Sequence, residues 1–257
     1  MDYRNAFNMT GAVAVVTGGS RGIGFEAAVA LGQCGAKVVI ASRDRSSLDA
    51  AVRRLAESGV EATYAVLDVT DSSAVNKAAD AIVAQHGQVD ILVNSAGIAR
   101  LNSALETSDD EWREVMDINL NGLFWCCRAF GRHMVARAKG SIVNIGSMSG
   151  LIINRPQTAA SYMASKGAVH MLTKALATEW AKSGVRVNAL APGYVATDMT
   201  LKMRERPELF NTWLDMTPMG RIGEPAEAAA AVVYLASGAS TYVTGTILSV
   251  DGGYTVW

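Results

Sequence analysis

AVAVVTGGSRGIG, residues 12–24, is a β-branched apolar run broken by a glycine-rich turn. Residues 12–18 read as a strand apolar on both faces, and a helical pattern opens at about residue 22. Gly18, Gly22 and Gly24, with Ser20, Arg21 and Ile23 between them, permit a tight turn and close backbone approach. The helix amino terminus then presents free N–H groups and a partial positive charge, the chemistry that receives a pyrophosphate. The spacing is G-x-x-x-G-x-G, not the commoner G-x-G-x-x-G; a G-x-G-x-x-A frame at Gly22, Gly24 and Ala27 begins too far beyond the strand. Taken alone, the turn is either a dinucleotide cradle or tight strand–helix packing.

The same rhythm continues outward. Residues 37–42, 62–69, 89–97, 140–147, 185–193 and 246–253 read as further strands, and helical patterns occupy about 22–33, 46–58, 72–86, 109–138, 158–182 and 224–237. Gly35, Gly59 and Gly184 follow helical segments as C-caps, and Ser108 with Glu111 reads as a capping box. Seven strands alternating with six helices predict an α/β fold: one doubly wound parallel sheet of Rossmann type flanked by helices, a single domain over residues 1–257. Residues 194–223 break the rhythm. They hold no strand but carry charged, amphipathic pieces (LKMRERPELFNTWLDM, 201–216), which reads as a substrate-binding lid.

Composition excludes several alternatives. The 257 residues carry a formal charge of −1, with 24 glycines, 5 prolines and half the chain hydrophobic. Such a balance lacks the basic face of a nucleic-acid binder. Cys34, Cys126 and Cys127 make no disulfide framework and no zinc spacing, so a reducing, cytoplasmic setting and no metal are expected. The start MDYRNAFNMTG shows no export signal, and no run approaches the ~20 apolar residues of a membrane span.

TGGSRGIG (17–24), NSAG (94–97), Asn119 in the fourth helix, Ser147 after the fifth strand, YMASK (162–166) and PGYVAT (192–197) occur in an order that resembles the short-chain dehydrogenases/reductases. The resemblance covers the whole chain, and the carboxyl-terminal half is similar to bacterial polyol dehydrogenases of the galactitol and sorbitol type. It implies oxidoreduction of an alcohol or carbonyl with a nicotinamide cofactor, usually in a homotetramer. It also implies site roles: Lys166 on the nicotinamide ribose, Asn119 anchoring a water that links Lys166 to solvent, Asp68 with Val69 at the adenine, and Pro192, Gly193, Val195 and Thr197 beside the carboxamide.

The residues carry a chemical argument of their own. Tyr162 and Lys166 are four apart, on one helix face. A free tyrosine with a pKa near ~10 is a weak base at neutral pH, and a neighbouring ammonium favours the phenolate. The pair can thus act as general base in alcohol oxidation and general acid in carbonyl reduction. Ser147 would steady the substrate oxygen as charge develops. Ser147 to Tyr162 is fifteen residues, two more than usual in the resembled family. Ser149 has the usual spacing and stays in reserve, although the strand-end frame favours Ser147. Asn94, Ala96 and Gly97 end the fourth strand at the edge where ligands of doubly wound sheets lie.

At the end of the second strand, where an acid would meet a ribose 2′-OH, stands Ser42 followed by Arg43. Arg43, with Arg21, favours NADP(H) over NAD(H) through a 2′-phosphate, while adjacent Asp44 opposes this. Asn154, Arg155 and Gln157 are either substrate contacts or ordinary loop polarity. Met199, Met203, Leu209, Trp213 and Leu214 read as lid packing; His86, His133 and His170 read as structural or surface residues. The apolar tail Tyr254–Trp257 suits a subunit interface or packing on its own subunit. The expected reaction is hydride transfer between NADP(H) and a secondary alcohol/ketone pair, a polyol and its ketose. The competing readings are a 3-oxoacyl thioester reductase and a non-catalytic nucleotide sensor.

Overall fold

The computed structural model describes residues 3–201 and 205–257, leaving aside the side chains of Arg4, Met199 and Leu201. Met203 and the Met199 side chain, expected to pack in the lid, lie outside the described residues. Among those described, seven strands form one sheet: β1 (Val13–Thr17), β2 (Lys37–Ser42), β3 (Ala62–Val66), β4 (Ile91–Asn94), β5 (Gly140–Ile145), β6 (Val185–Pro192) and β7 (Ile247–Val250). All pairings are parallel, in the order β3-β2-β1-β4-β5-β6-β7. The chain winds from β1 to one edge and restarts at β4 on the other side of β1. This leaves a crevice at their carboxyl ends, where Thr17 pairs with Asn94 and Asn94 with Asn144.

Strand alternation divides the core into two layers. Ala14, Val16 and Ile40 pack under α1 (Gly22–Gln33), α2 (Arg45–Glu57) and α9 (Pro225–Ala236). Val13, Val15 and Leu92 point the other way, under α3 (Ser72–His86), α5 (Gly122–Ala136) and α6 (Ala160–Trp180). Both faces of the central strands β1, β4, β5 and β6 are therefore dry, which is why these strands read as continuous apolar runs rather than alternating ones. Asp44, Asp71 and Ser108 cap α2, α3 and α4 (Asp109–Met116) by accepting the free amide protons of the first turn. Glu111 donates its amide to Ser108, but its carboxylate is held by Asn102, so only half of the expected capping box forms.

Two differences from expectation have physical causes. The helix expected over 109–138 is interrupted by a π-helical turn, Asp117–Asn121, before it resumes as α5. The inserted residue aims the Asn119 side chain at the Ile98 main chain, which accounts for the break. Several strands are shorter than their apolar runs: β3 stops at Val66, and β4 begins at Ile91, where Asp90 instead ties its carboxylate to the Val13 amide, Arg137 and Lys139. Among the described residues of 194–223 no strand forms beyond an isolated bridge between Val195 and Gly223, and α7 (Asp198–Leu201) and α8 (Pro207–Asp215) lie in the segment. Among the described residues, no helix is long and apolar enough to cross a membrane.

Candidate active site

A cleft of about 680 Å³ opens over the carboxyl ends of the central strands. One end is built from the glycine turn. Gly18 takes φ +65°, and a Cβ there would lie 2.7 Å from the Ala96 amide nitrogen; a Cβ on Gly24 would strike the Gly18 carbonyl. The turn therefore folds flat against the end of β4. Unlike α2 and α3, which Asp44 and Asp71 cap, α1 has no capping side chain at its amino terminus. Its free amide protons face the cleft with Gly18, Ser20, Arg21, Gly22 and Ile23 in the wall. An uncapped helix amino terminus against a glycine cradle fits the pyrophosphate of a dinucleotide.

Ser42, Arg43, Asp68, Val69, Ala96 and Gly97 continue the wall, and Pro192, Gly193, Val195 and Thr197 close it from the opposite side. Asp68 accepts from the Thr70 amide and hydroxyl and stands 3.9 Å from Arg43, so it caps its own turn as well as facing the cleft. Asp44 is committed elsewhere. Its carboxylate accepts from the Ser46 hydroxyl and from the Ser47 and Ser46 amides, and those hydrogen bonds lower its pKa. Gly24 and Asn94 stand behind the wall. The Asn94 amide donates to Asn144 Oδ1 at 2.9 Å and to Cys127 Sγ at 3.2 Å, tying β4 to β5 beneath the floor.

Ser147, Tyr162 and Lys166 meet at the other end. Ser147, not Ser149, is the serine that acts on the Tyr162 phenol, opposing the rise of its pKa. Its Oγ also accepts the Ser149 amide proton at 3.1 Å and lies 3.1 Å from Ser149 Oγ, so Ser149 stands one step back. Lys166 Nζ donates to the Ile145 carbonyl at 2.7 Å and lies 5.7 Å from the Tyr162 ring centroid. Burial lowers the Lys166 pKa to about 8. The expected lowering of the tyrosine by this ammonium is not what the structure gives. Burial raises the Tyr162 pKa, opposed by the Ser147 side chain, and the lysine reaches past the phenol to the end of β5. Asn119 does not line the cleft. Its Oδ1 accepts from the Ile98 amide, and its Nδ2 donates to the Ile98 carbonyl and to Ser165 Oγ. A Cβ on Gly97 would lie 3.3 Å from Asn119 Oδ1 and 3.7 Å from Lys166 Nζ, so both flank that glycine.

Between these ends and the mouth lies a polar patch centred on Tyr194, which the sequence reading passed over between Gly193 and Val195. Asn154 Nδ2 and Gln157 Nε2 donate to its hydroxyl at 3.1 and 2.8 Å, and Trp213 Nε1 donates to Gln157 Oε1 at 3.0 Å. Tyr194 stacks on Trp213 with ring centroids 3.8 Å apart and meets Tyr254 edge-on. Asn154, Gln157, Tyr194 and Trp213 all line the cleft, so Trp213 both packs α8 and faces the ligand space. Burial raises the Tyr194 pKa, which keeps the phenol protonated. Its position inside PGYVAT was the available signal. Tyr254 is buried on its own subunit, whereas Val256 and Trp257 are exposed.

A glycine cradle at the switch point of a doubly wound sheet, joined to a serine–tyrosine–lysine cluster lining the same cleft, defines a nicotinamide-dependent oxidoreductase. Residues 17–255 match the family model described as enoyl-(acyl carrier protein) reductase. The chain is similar to galactitol 2-dehydrogenase (L-tagatose-forming) of Cereibacter sphaeroides, 63% identical over 257 residues and the whole of both chains. It is 39% identical over 241 residues to a 3-oxoacyl-(acyl-carrier-protein) reductase of Chlamydia muridarum, over 93% of this chain and 96% of the other. Among solved structures, a gluconate 5-dehydrogenase from Burkholderia cenocepacia J2315, in complex with NADP and tartrate, superposes with a TM-score of 0.93 at 39% identity, over 98% of each chain. The protein belongs to the short-chain dehydrogenase/reductase family and is an oxidoreductase acting on alcohols.

Proposed function

We propose that the enzyme interconverts a polyol and its ketose with NADP(H), using Tyr162 as general acid/base, Ser147 as the group that steadies the substrate oxygen, and Lys166 and Asn119 as supports. The observation that carries this reading is the convergence of Ser147, Tyr162 and Lys166 at the end of a cleft whose remaining wall holds Asn154, Gln157 and Tyr194. A bound nicotinamide supplies the hydride in reduction and accepts it in oxidation. In reduction the raised pKa keeps Tyr162 protonated, ready to give its proton to the carbonyl oxygen. Ser147 donates to the same oxygen as negative charge grows on it. Lys166, beside Gly97, is placed to hold a ribose. Asn119 holds the Ile98 main chain, in the loop after β4, on which that placement depends.

Polyol specificity is supported by the 63% identical galactitol 2-dehydrogenase and by an amide- and phenol-lined substrate end. A preference for NADP(H) is supported by Ser42 and Arg43 at the end of β2 and by the commitment of Asp44 to its cap. Residues 194–223 act as a lid over the substrate end; the cysteine usage supports a reducing, cytoplasmic setting, and the family resemblance implies a homotetramer.

The test is a matrix of polyols, ketoses, aldonates and acyl thioesters against both nicotinamide cofactors. Turnover on neutral polyols with NADP(H) is expected. Activity confined to acyl thioesters would establish the competing reductase reading, and binding without any turnover would establish the nucleotide sensor.

A further inference from the structure

His170 lies one turn beyond Lys166 and two beyond Tyr162, so the three share one face of α6. Its imidazole is buried, with 5% exposure, and sits inside the turn Gly146-Ser-Met-Ser-Gly150. A methyl group on Gly146 would collide with Nε2, and one on Gly150 would come within 2.7 Å of Cε1. The two glycines that flank the serine pair therefore leave room for the ring. The Ser147 amide points at Nε2 across 3.5 Å.

We propose that His170 is a positioning residue that holds the Ser147 main chain by accepting its amide proton at Nε2. The inference rests on the reading that Ser147 and Tyr162 carry the acid–base step. A main-chain amide only donates, so Nε2 must be the unprotonated ring nitrogen and the proton must sit on Nδ1. Burial keeps the ring neutral by lowering its pKa to about 4. The charges of Lys166 and Lys174 act in the same direction, and the Gly150 main chain opposes them. Protonation would set an Nε2–H against the Ser147 N–H, two donors face to face. The bond is long and weak, so its consequence is geometric. It fixes the peptide from which Ser147 Oγ reaches Tyr162, and small displacements of reacting groups cost rate steeply.

The experiment compares His170→Gln with His170→Met, side chains of similar length and volume. Glutamine keeps an oxygen acceptor near the Nε2 position, and methionine offers an apolar methyl. His170→Met is expected to lower kcat about tenfold while the cofactor Kd stays within about twofold, and His170→Gln to recover most of that loss. Equal activity in the two variants, or equal loss in both, assigns His170 a packing role and overturns the proposal. A second measurement needs no variant: nitrogen-15 spectroscopy of the wild-type enzyme at neutral pH is expected to show His170 as the Nδ1-protonated tautomer. An Nε2-protonated ring overturns the proposal. Full activity in Tyr162→Phe would instead sink the catalytic reading, and the tautomer measurement keeps the two failures apart.

Discussion

Replacing Arg43 by alanine should weaken NADPH binding without weakening NADH binding. The guanidinium stands at the end of β2 with 61% of its side chain exposed, and its ion-pair partner is Asp68 at 3.9 Å. A hydrogen bond between charged groups contributes about 1.5–3 kcal/mol when well shielded. Solvent screening at this exposure reduces that to about 1–1.5 kcal/mol. Since 1.4 kcal/mol is a factor of about ten, the expected rise in the NADPH Kd is roughly tenfold. An exposed pair at 3.9 Å contributes little to folding, so Tm should stay within about 2 °C. The assay is a fluorescence titration of both reduced cofactors at two ionic strengths. The loss should shrink at high salt, where the wild-type advantage is itself screened. Equal weakening of NADH and NADPH, or an unchanged NADPH Kd, would refute the assignment of Arg43 to a 2′-phosphate.

Three further outcomes follow from the geometry. Tyr162→Phe should cut kcat by about 10²–10⁴-fold while cofactor titration stays near wild type, because only the proton donor is lost. Gly18→Ala should lower Tm by roughly 3 °C or more and also weaken cofactor binding. A left-handed residue with a side chain costs about 1–2 kcal/mol, and the new Cβ meets the Ala96 backbone at 2.7 Å. Stability should rise with pH in two windows. Burial lowers Lys166 from 10.5 to about 8 and His170 from 6.5 to about 4, so between each pair of values the unfolded chain binds more protons than the folded one. Urea midpoints should therefore climb from about pH 4 to 6.5 and again from about 8 to 10.5, with the penalty fully present below each lower value. His170→Met should flatten the first rise.

The sheet was legible because its central strands are buried on both faces and its helices are not. Continuous apolar runs such as VAVV in β1 and ILV in β4 cannot be solvent-facing strands, and the longer segments between them carry their own capping residues. What the pattern missed was local. The π-helical turn at Asp117–Asn121 has no compositional mark, since it arises from the reach of Asn119 to the Ile98 main chain, 21 residues earlier in sequence. The strand lengths were overestimated for a related reason. Apolar residues persist past the last ladder bond wherever they face a helix or the cleft, as Leu67 and Val69 do beyond β3.

The site divides along the same line between what a motif carries and what only packing decides. Glycine turns, the tyrosine–lysine pair and the serine frame each depend on a short stretch of chain, so spacing alone brings them into view. The electrostatics did not follow from spacing. Placing Lys166 four residues from Tyr162 suggested a lowered phenol pKa, yet the ammonium reaches Ile145 and burial raises the phenol instead. The tyrosine is then a stronger candidate for proton donation than for proton removal at neutral pH, so ketone reduction should be the less pH-dependent direction. Tyr194 and His170 make the complementary point. Neither is marked by its neighbours in sequence; each becomes visible through groups that converge on it in space. These are two amide side chains and an indole around Tyr194, and the Gly146–Gly150 turn around His170. Side chains that position reacting groups lie a layer behind the motif, where only the fold brings their partners together.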